Sequence, residues 1–162
     1  MKNKIIYLIL TFLMVFTYSK IYAQPGKVPS FKIVESNGKI FKAENLPIGK
    51  PLIIIYFSPE CDDCQRLTEN FLTRINDFKN VAVVMITYLS VESVSQFVAR
   101  NNLNKYSNII IGTEGKYLFV KNYYNIEQFP FIALYNSKCY LIKKYYSKEI
   151  NLNDLSDHLK NL

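Results

Sequence analysis

PLIIIYFSPECDDCQRLTENF, residues 51–71, passes from one structural period to another across a pair of cysteines. Pro51 to Phe57 is continuously apolar and rich in β-branched residues, the composition of a strand covered on both faces and so of the middle of a sheet. From Asp62 the apolar positions recur at helical spacing: Leu67, Phe71, Leu72, Ile75 and Phe78 share one stripe, with Arg66, Glu69, Arg74 and Asp77 toward water. Cys61 and Cys64 therefore stand where a buried strand hands over to the first turn of a helix.

That position favours thiol chemistry. A sulfur at a helix N-terminus meets unpaired N–H groups and the positive end of the dipole, which favour thiolate, and a cysteine one turn further in can close a disulfide ring. A four-ligand zinc site would need two more ligands, and the remaining candidates, Cys139 and His158, stand in no paired motif. The filling of the motif opposes its spacing, because Asp62 and Asp63 lie between the cysteines and Glu60 precedes them. Acids at a helix start favour the helix by about 0.3 to 1 kcal/mol each, and the same dipole helps a thiolate by a similar amount. A carboxylate roughly 4 Å from the sulfur opposes the thiolate by about 1 kcal/mol in water and about 4 at an effective dielectric near 20. Glu60, Asp62 and Asp63 are thus expected to tune Cys61 away from the thiolate. The couple then acts as a reductant, or stays closed as a disulfide, rather than serving as a strong oxidant.

Around this centre the chain alternates. FKIVE and NGKIF, on either side of Ser36, predict a hairpin through Asn37-Gly38. VAVVMITY at 81–88 reads as a strand and VESVSQFVARN at 91–101 as a helix with Val91, Val94, Phe97 and Val98 inward, which together imply parallel βαβ units. A short strand is expected at Asn108–Ile111, a helix or turn over 115–126, a hairpin of FPFIALYN and CYLIKKYY across 136–138, and a last amphipathic helix from about Asn153 to Leu162. The fold class is α/β, a central mixed sheet flanked by helices, with an N-terminal β-hairpin and a β-α insertion.

With IIIYFSPECDDC at 53–64 and QFPFIALYN at 128–136, the chain resembles the thioredoxin superfamily, and within it the exported TlpA-like thiol–disulfide oxidoreductases. The likeness covers roughly residues 28–162. It implies Cys61 as the attacking thiol and Cys64 as the resolving one. It also implies Pro130 as the cis-proline that packs on the pair and, with Phe129 beside it, helps hold a substrate backbone. Three departures stand out: Glu60 replaces the usual tryptophan, Asp62-Asp63 replace an uncharged or proline-containing pair, and Leu67 and Ile55 occupy the two positions where relatives carry a proton-handling acid. Proton transfer at Cys64 is left to water or to Asp63. The rival reading is a non-catalytic thioredoxin-fold binding module with a structural Cys61–Cys64 bond. A peroxidase reading rests on Ser58, three before Cys61 as in peroxiredoxins, but Ile54 stands where that pattern opens with proline.

The 162-residue chain begins with MKNK and the apolar run IIYLILTFLMVFTY, which reads as a signal peptide over residues 1–23, cleaved after Ala23, with an uncleaved N-terminal anchor as the alternative. Residues 24–30, QPGKVPS, form a leader and 31–162 one thioredoxin-like domain, placed outside the cytoplasm, in the periplasm or its equivalent. Losing Lys2, Lys4 and Lys20 takes the net charge from +7 to +4, scattered rather than clustered, which argues against nucleic-acid or membrane binding. The expected partners are protein thiols or disulfides and an upstream electron donor, with no cofactor and no metal. Cys139 is expected half-buried at a hairpin, His158 partly exposed and non-catalytic, and Tyr123, Tyr124, Tyr145 and Tyr146 an amphipathic cover over the sheet.

Overall fold

The computed structural model describes residues 26–161. The segment read as a signal peptide lies outside the described residues. Within them seven strands form one mixed sheet: β1 (Lys32–Glu35), β2 (Ile40–Lys42), β3 (Leu52–Tyr56), β4 (Ala82–Thr87), β5 (Ile109–Thr113), β6 (Phe131–Tyr135) and β7 (Leu141–Tyr146). Their spatial order is β2-β1-β5-β4-β3-β6-β7. β3, β4 and β5 run parallel; β6 is antiparallel to β3, β7 to β6, and the β1–β2 hairpin joins β5 antiparallel.

Four helices cover the sheet: α1 (Asp62–Thr73), α2 (Val91–Arg100), α3 (Phe119–Tyr124) and α4 (Leu152–Lys160). Each of the longer three starts on a cap that its sequence supplies. Ser90 Oγ accepts from the Ser93 N–H at the head of α2, and Asn151 Oδ1 accepts from Asn153 and Asp154 at the head of α4. At the head of α1 the capping atom is the Cys61 sulfur. α1 ends at Thr73, and the apolar stripe continues through a short 3-10 turn to Phe78, whose ring stacks on Phe71 at 4.2 Å.

β3 shows why a continuous apolar run was required. Its odd residues, Ile53 and Ile55, join Phe57 in the core beneath α1, α2 and α4, whereas Leu52, Ile54 and Tyr56 enter the core on the other face with Phe31, Val120 and Tyr124. All five strand residues are buried. Between Cys64 and Pro130 the chain lays down β4, α2, β5 and α3, so the expected β-α insertion is present.

Candidate active site

The parallel strands β3, β4 and β5 all end at one edge of the sheet, and the antiparallel strand β6 begins there. Loops from that edge carry Cys61 and the Phe129–Pro130 peptide. After β3, Phe57 to Glu60 turn the chain: the Cys61 N–H donates to the Ser58 carbonyl at 3.1 Å, and the Glu60 N–H points at Ser58 Oγ. Cys61 then caps α1 in an extended conformation, its sulfur accepting from the Cys64 N–H at 3.4 Å. The two cysteines approach within 2.9 Å of each other. Both are free thiols. Their environments differ, because Cys61 is partly exposed whereas Cys64 is 1% exposed. Burial pushes the Cys64 thiol up, the hydrogen bond with Cys61 adds to this, and the Asp63 charge contributes last; a backbone hydrogen bond at Ser58 opposes them.

Opposite the thiols lies the Phe129–Pro130 peptide, which is cis. The Phe129 carbonyl oxygen is 3.9 Å from Cys61 Sγ and also accepts from Ser147 Oγ at 3.3 Å, while the Ser147 N–H donates to the Pro130 carbonyl at 2.8 Å. The predicted residues Cys61, Cys64, Phe129 and Pro130 are therefore gathered in one place. Of the three acids expected to tune Cys61, Glu60, Asp62 and Asp63 are all exposed, and Asp63 is committed to an ion pair with Arg66 one turn along α1. Two other positions stand apart from the site. Cys139, expected half-buried, is exposed instead, at φ +62 in the β6–β7 turn, where Asn136 Oδ1 takes the Lys138 and Tyr140 N–H groups. A residue at such a turn points away from the sheet, whatever its own polarity. His158 sits against Asp154 on α4.

The tyrosines divide rather than act together: Tyr124 and Tyr145 are buried, and Tyr123 and Tyr146 are exposed. Tyr124 and Tyr135 hydrogen bond through their hydroxyls, and burial pushes the Tyr135 phenol up to about 12.

Four residues near the thiols went unread in the sequence: Tyr88, Glu114, Lys121 and Ser147. Glu114, just beyond β5, is 6% exposed. Its carboxylate accepts from Tyr56 Oη at 2.6 Å, from the Val120 N–H at 2.7 Å and from the Lys121 N–H at 3.3 Å. The Tyr56 ring stacks on Phe129 at 5.8 Å, and Phe129 stacks on Tyr88 at 5.7 Å. A glutamate in GTEGK looks like loop decoration; the available signal was an acid a few residues ahead of a helical stretch, where it can satisfy the free N–H groups. On the other flank a groove of about 710 Å³ runs from Pro130 and Asp63 along α1 to Arg74, closed by Ser147 to Asn153. Among the described residues no group of three or more His, Cys, Asp or Glu side chains could hold a metal ion.

The fold recurs in solved structures. A secreted Mycobacterium tuberculosis disulfide oxidoreductase homologous to E. coli DsbE superposes with a TM-score of 0.66 at 19% identity, covering 82% of this chain and 96% of its own. The fold here is thioredoxin-like. A thiol–disulfide oxidoreductase from Bacteroides fragilis matches this thioredoxin-like chain with a TM-score of 0.68 at 15% identity, over 83% of this chain and 98% of that one. A thiol peroxidase from Chromobacterium violaceum matches equally well, with a TM-score of 0.68 at 15% identity over 83% and 84% of the two chains. Fold alone does not separate the two chemistries. No family model and no curated protein matches the sequence.

Proposed function

We propose that this protein is an exported thiol–disulfide oxidoreductase of the TlpA-like kind, which reduces or exchanges disulfides of other proteins through Cys61 and Cys64. The observation that carries the reading is the unequal pair: an accessible thiol at the head of a helix beside a buried one, the two cysteines within 2.9 Å of each other, facing a backbone carbonyl at the Phe129–Pro130 peptide. The Cys61 thiolate attacks one sulfur of a substrate disulfide; a Cys61–substrate bond forms, the substrate S–S bond breaks, and the second substrate sulfur leaves as a thiolate that takes a proton from water. Cys64 then loses its proton to water, attacks Cys61 and releases the substrate as a dithiol. Two electrons pass to the substrate and the protein ends as the Cys61–Cys64 disulfide. An upstream dithiol donor is needed to restore it.

The reducing direction is the one read from the sequence, in which Glu60, Asp62 and Asp63 surround Cys61. The apolar N-terminal run supports export. Among the described residues no helix is long and apolar enough to cross a membrane.

Replacing Cys64 with serine tests the proposal. The variant should accumulate mixed disulfides on Cys61, because the resolving attack is lost while the first attack remains. Wild-type protein, reduced in advance, should reduce a model protein disulfide. Empty traps together with no reduction would leave a binding module with a structural Cys61–Cys64 bond.

A further inference from the structure

The three-ring stack beside the thiols carries a cation. Lys121 Nζ lies 5.8 Å from the ring centroids of both Tyr88 and Phe129. Its backbone N–H is held by the buried Glu114, which also anchors Tyr56 at the far end of the stack. The lysine side chain is partly buried, and among the described residues no carboxylate oxygen comes within ion-pair distance of its ammonium. Tyr88, the outermost ring, is 36% exposed. The middle ring belongs to Phe129, whose carbonyl contacts Cys61 Sγ.

Charge around the nucleophile is therefore split. Carboxylates ride on the segment that bears the cysteines, at Glu60, Asp62 and Asp63, and the ammonium rides on the aromatic flank. Resting on the exchange reading above, we infer that Lys121 is a specificity-determining residue, which selects substrates carrying a carboxylate close to the sulfur that Cys61 attacks. A polypeptide with its disulfide sulfur at Cys61 and its backbone along Phe129–Pro130 lays the neighbouring side chain over Tyr88 and Phe129. An aspartate or glutamate there gains the attraction of an ammonium already held in place by two rings, and a lysine or arginine meets repulsion. Glu114 acts through Lys121 and Tyr56 as a positioning residue, because its carboxylate is turned inward to three donors and cannot itself meet the substrate.

The test uses two small disulfides of opposite charge, 3,3′-dithiodipropionate and cystamine, reacted with pre-reduced protein at low salt, where screening is weak. The readout is the ratio of their second-order rate constants, which cancels the intrinsic reactivity of each probe when variants are compared. Lys121→Gln should lower the anionic-to-cationic ratio by about tenfold, roughly threefold from each probe. Lys121→Arg should restore the wild-type ratio. Lys79→Gln changes the net charge equally at the opposite edge of the sheet, just ahead of β4, and should keep the ratio of the unaltered protein. A ratio in Lys121→Gln within twofold of wild type overturns the inference, as does an equal shift in Lys79→Gln or a failure of Lys121→Arg to restore it. Exchange with both probes but an unshifted ratio removes this inference alone; exchange with neither removes the oxidoreductase reading as well.

Discussion

Cys64 shows most directly what one side chain contributes. Its thiol is buried and pushed up, first by desolvation and then by its hydrogen bond with Cys61. The folded, reduced protein therefore keeps a proton that the unfolded chain releases above about pH 8.5, where an ordinary cysteine ionises. Stability from this source is fully present below that pH and is lost as pH rises toward the folded value, by up to about 1.4 kcal/mol per pH unit. Denaturant titration of reduced protein between pH 7 and 10 should show the decline, and Cys64→Ser should flatten it. An identical decline in the variant would place the titrating group elsewhere. Tyr88, Glu114, Lys121 and Ser147 belong to this scale too: Glu114 left a local trace, an acid just ahead of a helical stretch, whereas its bond to Tyr56 and the places of Tyr88, Lys121 and Ser147 beside Phe129 come from neighbours distant in the chain.

Elements were read more fully, and the misses lie where local signals conflict. β3, β4 and α2 carry unbroken periods and fall where those periods put them, and α1 starts where its period does but gives way after Thr73 to the 3-10 turn that carries Ile75 and Phe78. The strand expected over Asn108–Ile111 runs instead over Ile109–Thr113, past a glycine that weakens the strand signal. Gly112 has a reason to be glycine: a Cβ there would sit 2.7 Å from the Val34 carbonyl oxygen, at the point where β5 pairs with β1. Gly112→Ala should therefore push the β1–β2 hairpin from the sheet and cost about 1–3 kcal/mol. An unfolding midpoint equal to wild type in urea would refute that account. The segment over 115–126 read ambiguously as helix or turn because it is both: a 3-10 turn, then the six residues of α3 held between left-handed Leu118 and Asn125.

At the scale of the whole molecule, two core layers lie against one sheet, and the C-terminal helix seals one of them through Leu155. α4 is also tied to β7 by Lys143 Nζ on Asp154 Oδ2 at 2.8 Å. The Lys143 hydrogen bond holds the Asp154 carboxyl below its ordinary value. A depressed carboxyl adds stability above its unfolded value of about 4, and that stability is lost as pH falls through the folded value. Lys143→Gln should therefore melt below wild type at pH 6, with the gap closing toward pH 3. A gap that stays constant across that range would show that the ion pair is not its origin. The more exposed pairs Lys42–Glu44, Arg66–Asp63 and Lys160–Asp157 are expected to contribute little by comparison.

By itself the sequence determined the sheet's central strand, the helix that follows it, the placing of Cys61 and Cys64 at their junction, and the apolar strand opening at Pro130. All of these are written in periods and caps within a few residues of one another. Only the tertiary structure decided what stands around the thiols. The edge where β3, β4 and β5 end collects residues from positions 56 to 147: strand pairing sets the end of β5 near that of β3, where Glu114 meets Tyr56, and the helix and loop that follow bring Lys121 to Phe129. It also turned Cys139 outward. Local patterns encode which face of an element is buried; which loops meet at an edge depends on how the elements pair, and no short stretch of chain carries that information.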